Sequence, residues 1–296
     1  PPTLRPMTGV HVIGNASAPH GQEQLGEVAD LLARLGVDAE VHRPPTLEAA
    51  QDAARRCVSD GAERLIAVGG DGVVNIAVNA VAETGVVLGV VPAGTGNDFA
   101  RALGLLDGDV EAQVGRALAN ASPVDAIRTG HGWVASVATL GFSGDVTARA
   151  NGLRWPRGQH RYTLATLLQL PRLRPYAVTV TVDGERVGTG STMLLAIGNT
   201  AYFGGGMRIC PGARPDDGRF QVVDIDAVSR LRFLRVFPTV FSGRHVDRPE
   251  VSVGSGTVVE IDGADIDLWA DGERLGPLPV RLELVPGALR VAGWAG

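Results

Sequence analysis

Short, Val-rich runs alternate with longer amphipathic stretches through the first third of the chain. Val10–Ile13, Val37–Val41, Leu65–Val68 and Val86–Val91 have the length and composition of parallel strands buried on both faces. Between the first two, Gln22–Leu35 carries Leu25, Val28, Leu31, Leu32 and Leu35 at helical spacing, and Gly36 closes it. Thr46 is placed to cap an Ala-rich helix running to about Ser59. Four βα units in succession predict a doubly wound parallel sheet. Past Asp125 the rhythm changes. Strand-like runs follow at Trp133–Leu140, Val178–Val182, Met193–Ile197, Phe220–Ile225, Val251–Val253, Thr257–Asp262, Asp265–Ala270, Val280–Val285 and Ala288–Val291. Asp183-Gly184 is a hairpin turn, and helical segments interrupt near Arg161–Leu170 and Ser229–Phe241. This half predicts an antiparallel β-sandwich with inserted helices.

A chain of 296 residues is long for one core and suits two domains of about 100–200 residues. The change of rhythm puts the boundary near residues 123–130, dividing the chain into 1–127 and 128–296. A composition 45% hydrophobic and 20% charged is that of a globular chain. The longest apolar run, Val86–Val91, stops at Pro92, far short of the ~20 residues that span a bilayer. Pro1–Pro6 do not read as a secretory leader. Two cysteines, Cys57 and Cys210, build no disulfide framework and read as buried, idle thiols of a reducing cytoplasm. The six histidines (His11, His20, His42, His131, His160, His245) show no metal-ligand spacing.

All 27 basic residues are Arg; the chain contains no lysine. That excludes a Walker lysine, a Schiff base and a protein-kinase strand lysine. Residues 1–128 carry 16 acidic residues against 9 Arg, a net −7; residues 129–296 carry 16 against 18, a net +2. Arg149, Arg154, Arg157, Arg161, Arg172 and Arg174 form a basic stretch with Trp155 and Tyr162 among them, suited to anionic lipid headgroups or to a solvated helix face. Ser229–Arg244 interleaves Arg230, Arg232, Arg235 and Arg244 with Phe233, Leu234, Phe237 and Phe241, which fits either a membrane-surface helix or one packed on the sandwich. Pro238 would bend or end it. A net charge of −5 argues against nucleic acid.

The strand Leu65–Val68 runs into Gly69-Gly70-Asp71-Gly72 and then a helix-like stretch from Val73. Glycines at such a turn let backbone N–H groups approach a phosphate at a helix N-terminus. The central Asp71 would repel that phosphate unless a Mg²⁺ lay between them. The next strand, Val86–Val91, ends in a second glycine-rich turn carrying Gly94, Thr95, Gly96, Asn97 and Asp98, on the same carboxyl edge of the predicted sheet. Asp271-Gly272 and Pro215-Asp216-Asp217-Gly218 are also turn sequences by composition.

The pair Gly69–Asn75 (GGDGVVN) and Gly94–Arg101 (GTGNDFAR) resembles the lipid kinases of the diacylglycerol kinase and sphingosine kinase superfamily. Asn199–Gly218 (NTAYFGGGMRICPGARPDDG), Asp271-Gly272-Glu273 and Pro286-Gly287-Ala288-Leu289 match further motifs in the same order. The likeness spans nearly the whole chain. It is greatest to bacterial diacylglycerol kinases, in particular those of mycobacteria and other actinobacteria, whose Arg-only, Ala- and Gly-rich composition is shared.

The resemblance implies an NAD kinase- or phosphofructokinase-like nucleotide-binding domain followed by a β-sandwich domain, with the active site between them. The last strand is free in this reading to return to the first domain. Gly69, Gly70, Asp71, Gly72, Val73, Val74 and Asn75, with Gly94, Thr95 and Asn97, would contact ATP, as would Asn15 and Ser17 from a phosphate-cradling loop after the first strand. Asp71 and Asp98 would organise the phosphates and Mg²⁺. Asp217 and the backbone carbonyls of Arg214 and Arg219 would hold a structural metal, linked to the catalytic centre through Asp125 and Asp216. Either Asp271 or Glu273 would be the base. Three positions depart from the family pattern: Val73 replaces a Thr, Asn15–His20 lacks a basic residue, and the His42–Pro45 loop lacks a Thr.

The implied activity is ATP- and Mg²⁺-dependent phosphorylation of diacylglycerol to phosphatidic acid, by a cytoplasmic protein that visits the membrane peripherally, as a monomer or a homodimer. The rival readings are a kinase for another hydroxyl lipid (a sphingoid base, a ceramide or monoacylglycerol) and a catalytically silent nucleotide or lipid sensor.

Overall fold

A computed structural model describes residues 9–14, 19–153, 155 and 159–296; Asn15 and Ser17, and Arg154 and Arg157 of the basic stretch, lie outside the described residues. The chain runs β1 (Val10–Gly14), α1 (Pro19–Arg34), β2 (Ala39–His42), α2 (Leu47–Ser59), β3 (Arg64–Gly69), α3 (Asp71–Val81), β4 (Val87–Pro92), α4 (Asp98–Ala102), α5 (Val110–Leu118) and β5 (Ala121–Thr129). It continues with β6 (Gly132–Val134), β7 (Val137–Gly141), α6 (Phe142–Gly152), α7 (Gln159–Gln169), β8 (Tyr176–Val182), β9 (Glu185–Val187), β10 (Ser191–Gly198), β11 (Phe220–Asp226) and α8 (Arg230–Val236). Strands β12 (Val251–Gly256), β13 (Val258–Gly263), β14 (Asp267–Ala270), β15 (Glu273–Pro277) and β16 (Val280–Ala292) complete it. Two compact units result: Pro1–Ala126 with Pro286–Gly296, and Ile127–Val285.

In the first unit β1 pairs in parallel with both β2 and β3, β3 with β4, and β4 with Arg290 and Val291 of β16. Period-two alternation divides the sheet's faces. Val10, Val12, Ile66, Val68 and Val91 meet Leu25, Val28, Leu31, Leu32, Val114 and Leu118 of α1 and α5. Helices α2 and α3 pack together and against the sheet. Thr46 does cap α2, its side chain accepting the Ala49 N–H at 3.2 Å. A parallel sheet wound on both faces is therefore found where the apolar pattern predicts it.

The second unit is antiparallel. One sheet runs β15-β14-β7-β10-β11-β12, and β9-β8-β13 continues into the first half of β16. Leu195 and Ile197 of β10 and Phe220 and Val222 of β11 join Val178, Val180, Val259, Ile261, Leu282 and Leu284 in one core. The alternate residues Leu194, Ala196, Val223 and Ile225 face a second core, with Phe142, Val146, Phe233 and Val236 of α6 and α8. Phe142, Phe233 and Phe237 pack with ring centroids 5.3–5.8 Å apart.

Several elements differ from the apolar pattern for identifiable reasons. The run Trp133–Leu140 is two strands, because the chain breaks at Ala135-Ser136: the Ser136 carbonyl accepts the Asn199 N–H at 2.9 Å, and Asn199 Nδ2 donates to the Ala135 carbonyl at 2.9 Å. The last two runs are one strand, β16, which passes through Pro286 and Gly287 (φ 60°). Helix α6 has little apolar periodicity. Gly144 lies under the Trp269 indole, where a Cβ would come within 2.8 Å of the ring, and Thr147 donates to the Ser143 carbonyl at 3.0 Å. The segment Ser229–Phe241 is α-helical only to Val236 and continues as a 3₁₀ turn over Phe237–Val240 that contains Pro238.

Asp224 is the least expected core residue. It lies in the middle of β11, on the face that buries Phe220 and Val222, and is 1% exposed. Burial pushes its carboxyl up to about 6, opposed by Thr192 and assisted by Asp226. The folded chain thus holds this proton over a range in which the unfolded chain has lost it. Stability contributed at low pH is lost as pH rises from about 4 through about 6, roughly 2–3 kcal/mol in all. Urea midpoints at pH 4.5 and pH 7.5 should therefore show Asp224→Asn gaining on the unsubstituted chain as pH rises; a pH-independent difference would contradict the assignment.

Candidate functional site

The carboxyl ends of β3 and β4 lie side by side, with Gly69 registered against Pro92. Both glycine-rich turns leave the sheet there. Their backbones touch: a Cβ on Gly94 would fall 2.4 Å from the Gly70 Cα, and one on Gly96 would fall 2.6 Å from an Asp71 carboxylate oxygen. The Ala93 N–H donates to the Gly69 carbonyl at 2.8 Å. Beyond that bond the Asp71 carboxylate takes over, one oxygen accepting the Asn97 N–H at 2.9 Å and the other the Asp98 N–H at 2.8 Å. Asn97 is in the left-handed region (φ 52°, ψ 42°), and its side chain closes the second turn on itself, accepting from Gly94 N at 3.0 Å and donating to the Gly94 carbonyl at 2.8 Å. Asp71 thus ties one turn to the next.

Around this bracket, Val73 and Val74 are buried and their N–H groups donate to the Gly70 carbonyl at 3.0 and 3.1 Å, which starts α3. Asn75 accepts from Asn79 Nδ2 through its carbonyl at 3.0 Å. Gly94 and Thr95 are exposed, and a Cβ on Gly72 would meet nothing within 4 Å. An anionic group therefore has open access to the N-terminal end of α3. Asp98 is buried at the start of α4. Arg101, one turn further on, donates from Nη2 to the Gly96 carbonyl at 3.3 Å. It is a cation at this edge, and its place as the last residue of the second motif in a lysine-free chain was the available signal for it.

Asp125 is 4% exposed on β5 and accepts the Gly287 N–H at 2.8 Å, joining two motifs 162 residues apart within the first unit.

In the second unit the Asp271-Gly272 turn joins β14 to β15 with both residues at positive φ (50° and 85°). The Ser136 hydroxyl donates to Asp271 Oδ1, and Asn151 Nδ2 donates to the Gly272 carbonyl at 3.1 Å. Through the Ser136 carbonyl the same residue also receives the Asn199 and Thr200 N–H groups at 2.9 and 3.3 Å. Ser136 is thus the junction between the Asn199 motif and the Asp271 turn. No sequence motif marks it; the only sign is a polar residue in the middle of an apolar run. Glu273 is exposed.

Asp216 and Asp217 are exposed in the turn before β11, where Asp217 Oδ1 accepts the Arg219 N–H at 3.0 Å and Gly218 has φ 72°. The Arg219 side chain turns away to Ser255, with Nε on the hydroxyl at 3.1 Å and Nη2 on the carbonyl at 2.9 Å. The donors of this turn, one carboxylate with the Arg214 and Arg219 carbonyls, are all oxygens, the set that a hard cation such as Mg²⁺ accepts.

Residues 9–129 match the family described as the diacylglycerol kinase catalytic domain, and residues 135–293 match the YegS C-terminal NAD kinase beta sandwich-like domain. A diacylglycerol kinase of Mycobacterium tuberculosis (strain ATCC 25618 / H37Rv) is 38% identical over 240 residues, covering 79% of this chain and 78% of that protein. Among solved structures, a diacylglycerol kinase of Bacillus anthracis str. Sterne superposes with a TM-score of 0.73 at 18% identity, covering 98% of both chains. An NAD kinase of Archaeoglobus fulgidus in complex with ATP superposes with a TM-score of 0.55 at 13% identity, covering 97% of this chain and 93% of that one, a likeness of fold.

The bracket is testable through stability alone. Asp71→Asn replaces one acceptor by an NH₂ group facing a backbone N–H, and should cost about 1–3 kcal/mol in urea denaturation. Gly94→Ala, whose methyl meets backbone rather than a yielding side chain, should cost at least as much. Wild-type stability in both variants would mean that the two turns are not held together in this way.

Proposed function

The chain belongs to the diacylglycerol kinase-like family of lipid kinases, and from that premise we propose that it transfers the γ-phosphoryl group of ATP to the free hydroxyl of diacylglycerol, giving phosphatidic acid and ADP. The observation that carries the choice of substrate is the 38% identity to the mycobacterial diacylglycerol kinase over 79% of this chain. The site geometry supports the choice of reaction. The turn that carries Gly69–Asn75 and the turn that carries Gly94, Thr95 and Asn97 would cradle the nucleotide, held in register by Asp71.

When bound, Mg²⁺ would neutralise phosphate charge and be held by carboxylate and carbonyl oxygens, near the nucleotide by Asp71 and Asp98 and structurally by Asp217 with the Arg214 and Arg219 carbonyls, Asp125 and Asp216 supporting that network. With no lysine in the chain, Arg101 supplies fixed positive charge beside the second turn.

A lipid hydroxyl is a poor nucleophile, so a carboxylate must accept its proton as the new O–P bond forms and the bond from phosphorus to the departing ADP oxygen breaks. Asp271 is the candidate we favour, because its side chain is held within its own unit: the turn has paired positive φ values, Ser136 donates to its carboxylate, and Asn151 holds the adjoining carbonyl. Glu273, exposed at the start of β15, is the alternative.

Access to the lipid would come through peripheral contact with an anionic membrane. Among the described residues no helix is long and apolar enough to cross a bilayer. Helix α8 buries Phe233 and Val236 but leaves Leu231, Leu234 and the nearby Phe241 exposed beside Arg230 and Arg235, while Trp155, Leu167 and Leu168 are exposed around α7. Apolar tips flanked by guanidinium groups suit a headgroup boundary.

The decisive assay is transfer of radiolabelled phosphate from ATP, with Mg²⁺, to mixed micelles carrying diacylglycerol, with parallel micelles of sphingosine, ceramide or monoacylglycerol. Label is expected in phosphatidic acid, with Asp71→Ala at background and Asp271→Asn reduced about 10²–10⁴-fold. A loss confined to Glu273→Gln would transfer the base role to that residue. Label in a different lipid would overturn the substrate, and ATP binding with no label in any lipid would overturn the enzyme reading in favour of a sensor. Leu231→Ser with Phe241→Ser should weaken sedimentation with anionic vesicles several-fold; unchanged sedimentation would remove α8 from the membrane contact.

A further inference from the structure

Ligand spacing in the sequence predicts no histidine cluster, yet the fold brings His11 and His42 together beside Cys57. Strand β1 lies beside β2 with His11 registered against Glu40 and Ile13 against His42. Parallel registration and the two-residue period therefore put His11, Glu40 and His42 on one face of the sheet, opposite the face where Val10 and Val12 pack. Helix α2 contacts that strand and brings in Cys57, which is 2% exposed. One ligand atom from each of His11, His42 and Cys57 lies within 4.8 Å of the other two.

We propose that His11, His42 and Cys57, with Glu40 as fourth ligand, bind a divalent transition metal of the Zn²⁺ class. His42 Nε2 stands 3.1 Å from His11 Nδ1, 3.3 Å from Cys57 Sγ and 3.7 Å from Glu40 Oε1. Glu40 Oε2 is 3.6 Å from His11 Nδ1. A neutral ring nitrogen has either one lone pair or one proton, so it completes one good hydrogen bond and cannot serve three polar neighbours. A cation at their centre can. With Zn–N near 2.0–2.1 Å and Zn–S near 2.3 Å, the ligand atoms of a tetrahedral site stand about 3.3–3.6 Å apart, close to the separations found here.

The donor set also selects the class of ion. Two imidazoles and a thiol are borderline-to-soft donors that hold Zn²⁺, Co²⁺ or Cu ions and have little use for Mg²⁺, which takes oxygen. His11, His42 and Glu40 come from two neighbouring strands and Cys57 from the helix above them. The ion would therefore clip β1, β2 and α2 together at the outer edge of the parallel sheet, where β2 has the sheet on one side only.

The test uses the untagged full chain after chelator treatment, titrated with Co²⁺ and then Zn²⁺. Expected is a near-ultraviolet thiolate-to-cobalt charge-transfer band that saturates at about one equivalent per chain and is bleached by Zn²⁺. The band should vanish in Cys57→Ser, and His42→Ala should bind at least tenfold more weakly, circular dichroism reporting whether each variant is folded. Glu40 is exposed, so Glu40→Gln keeps the fold while weakening Zn²⁺ several-fold. Zn²⁺ should also raise the thermal midpoint of the unsubstituted chain and not that of Cys57→Ser. Co²⁺ uptake without the band, or the same band and affinity in Cys57→Ser, would overturn the site, and unchanged affinity in Glu40→Gln would remove the carboxylate from it. No arm measures phosphoryl transfer, so the outcome stands apart from that of the kinase assay.

Discussion

The edge where β3 and β4 end depends on one carboxylate doing what a sheet ladder can no longer do. Strands β3 and β4 are registered as far as Gly69 and Pro92, and one more backbone bond joins Ala93 to Gly69. Past that point the chains diverge into their turns and have no ladder left to align them. Asp71 replaces it by accepting two consecutive N–H groups, those of Asn97 and Asp98. An ionised carboxylate forms shorter and stronger bonds with amides than a carbonyl does, so a single side chain suffices. The glycines follow from this. With the turns drawn so close that Gly70 and Gly94 meet through their Cα atoms, a side chain at Gly94 would strike backbone.

Much the same solution recurs in the sandwich unit. There the strand run is broken at Ser136 so that its carbonyl can serve Asn199 and Thr200 while its hydroxyl serves Asp271. Two left-handed residues in succession set the Asp271 turn, and Asn151 of α6 fastens the following carbonyl. The faces of β10 and β11 supply the rigidity beneath: alternate residues enter separate cores, so these strands are clamped from both sides.

The fold class was legible because its signals are periodic. Val-rich runs separated by an amphipathic Gln22–Leu35 and a Thr46-capped helix leave little alternative to a wound parallel sheet. The turns were legible for another reason: glycine, Asp and Asn at strand ends carry conformational information in their identity. Helix α6 was not, since its packing relies on a missing side chain at Gly144 under an indole 125 residues away. Ser136 and the contact between Asp125 and Gly287 share that character. Each is a polar side chain whose partner is set by tertiary register, and nothing local distinguishes it from an ordinary strand residue. His11, Glu40, His42 and Cys57 are the extreme case: the spacing that matters is between strands, and it exists only once β1 and β2 are paired.

The first unit therefore carries two donor chemistries on a single sheet. At the ends of β3 and β4 the Asp71 carboxylate, already holding two backbone N–H groups, is an oxygen donor of the kind that hard cations accept. Between β1, β2 and α2 two imidazole nitrogens and a thiol lie close together, with the Glu40 carboxylate beside them. The closeness of the two glycine turns leaves no room for a guanidinium group between Gly70 and Gly94, and Arg101 holds the Gly96 carbonyl from beside them.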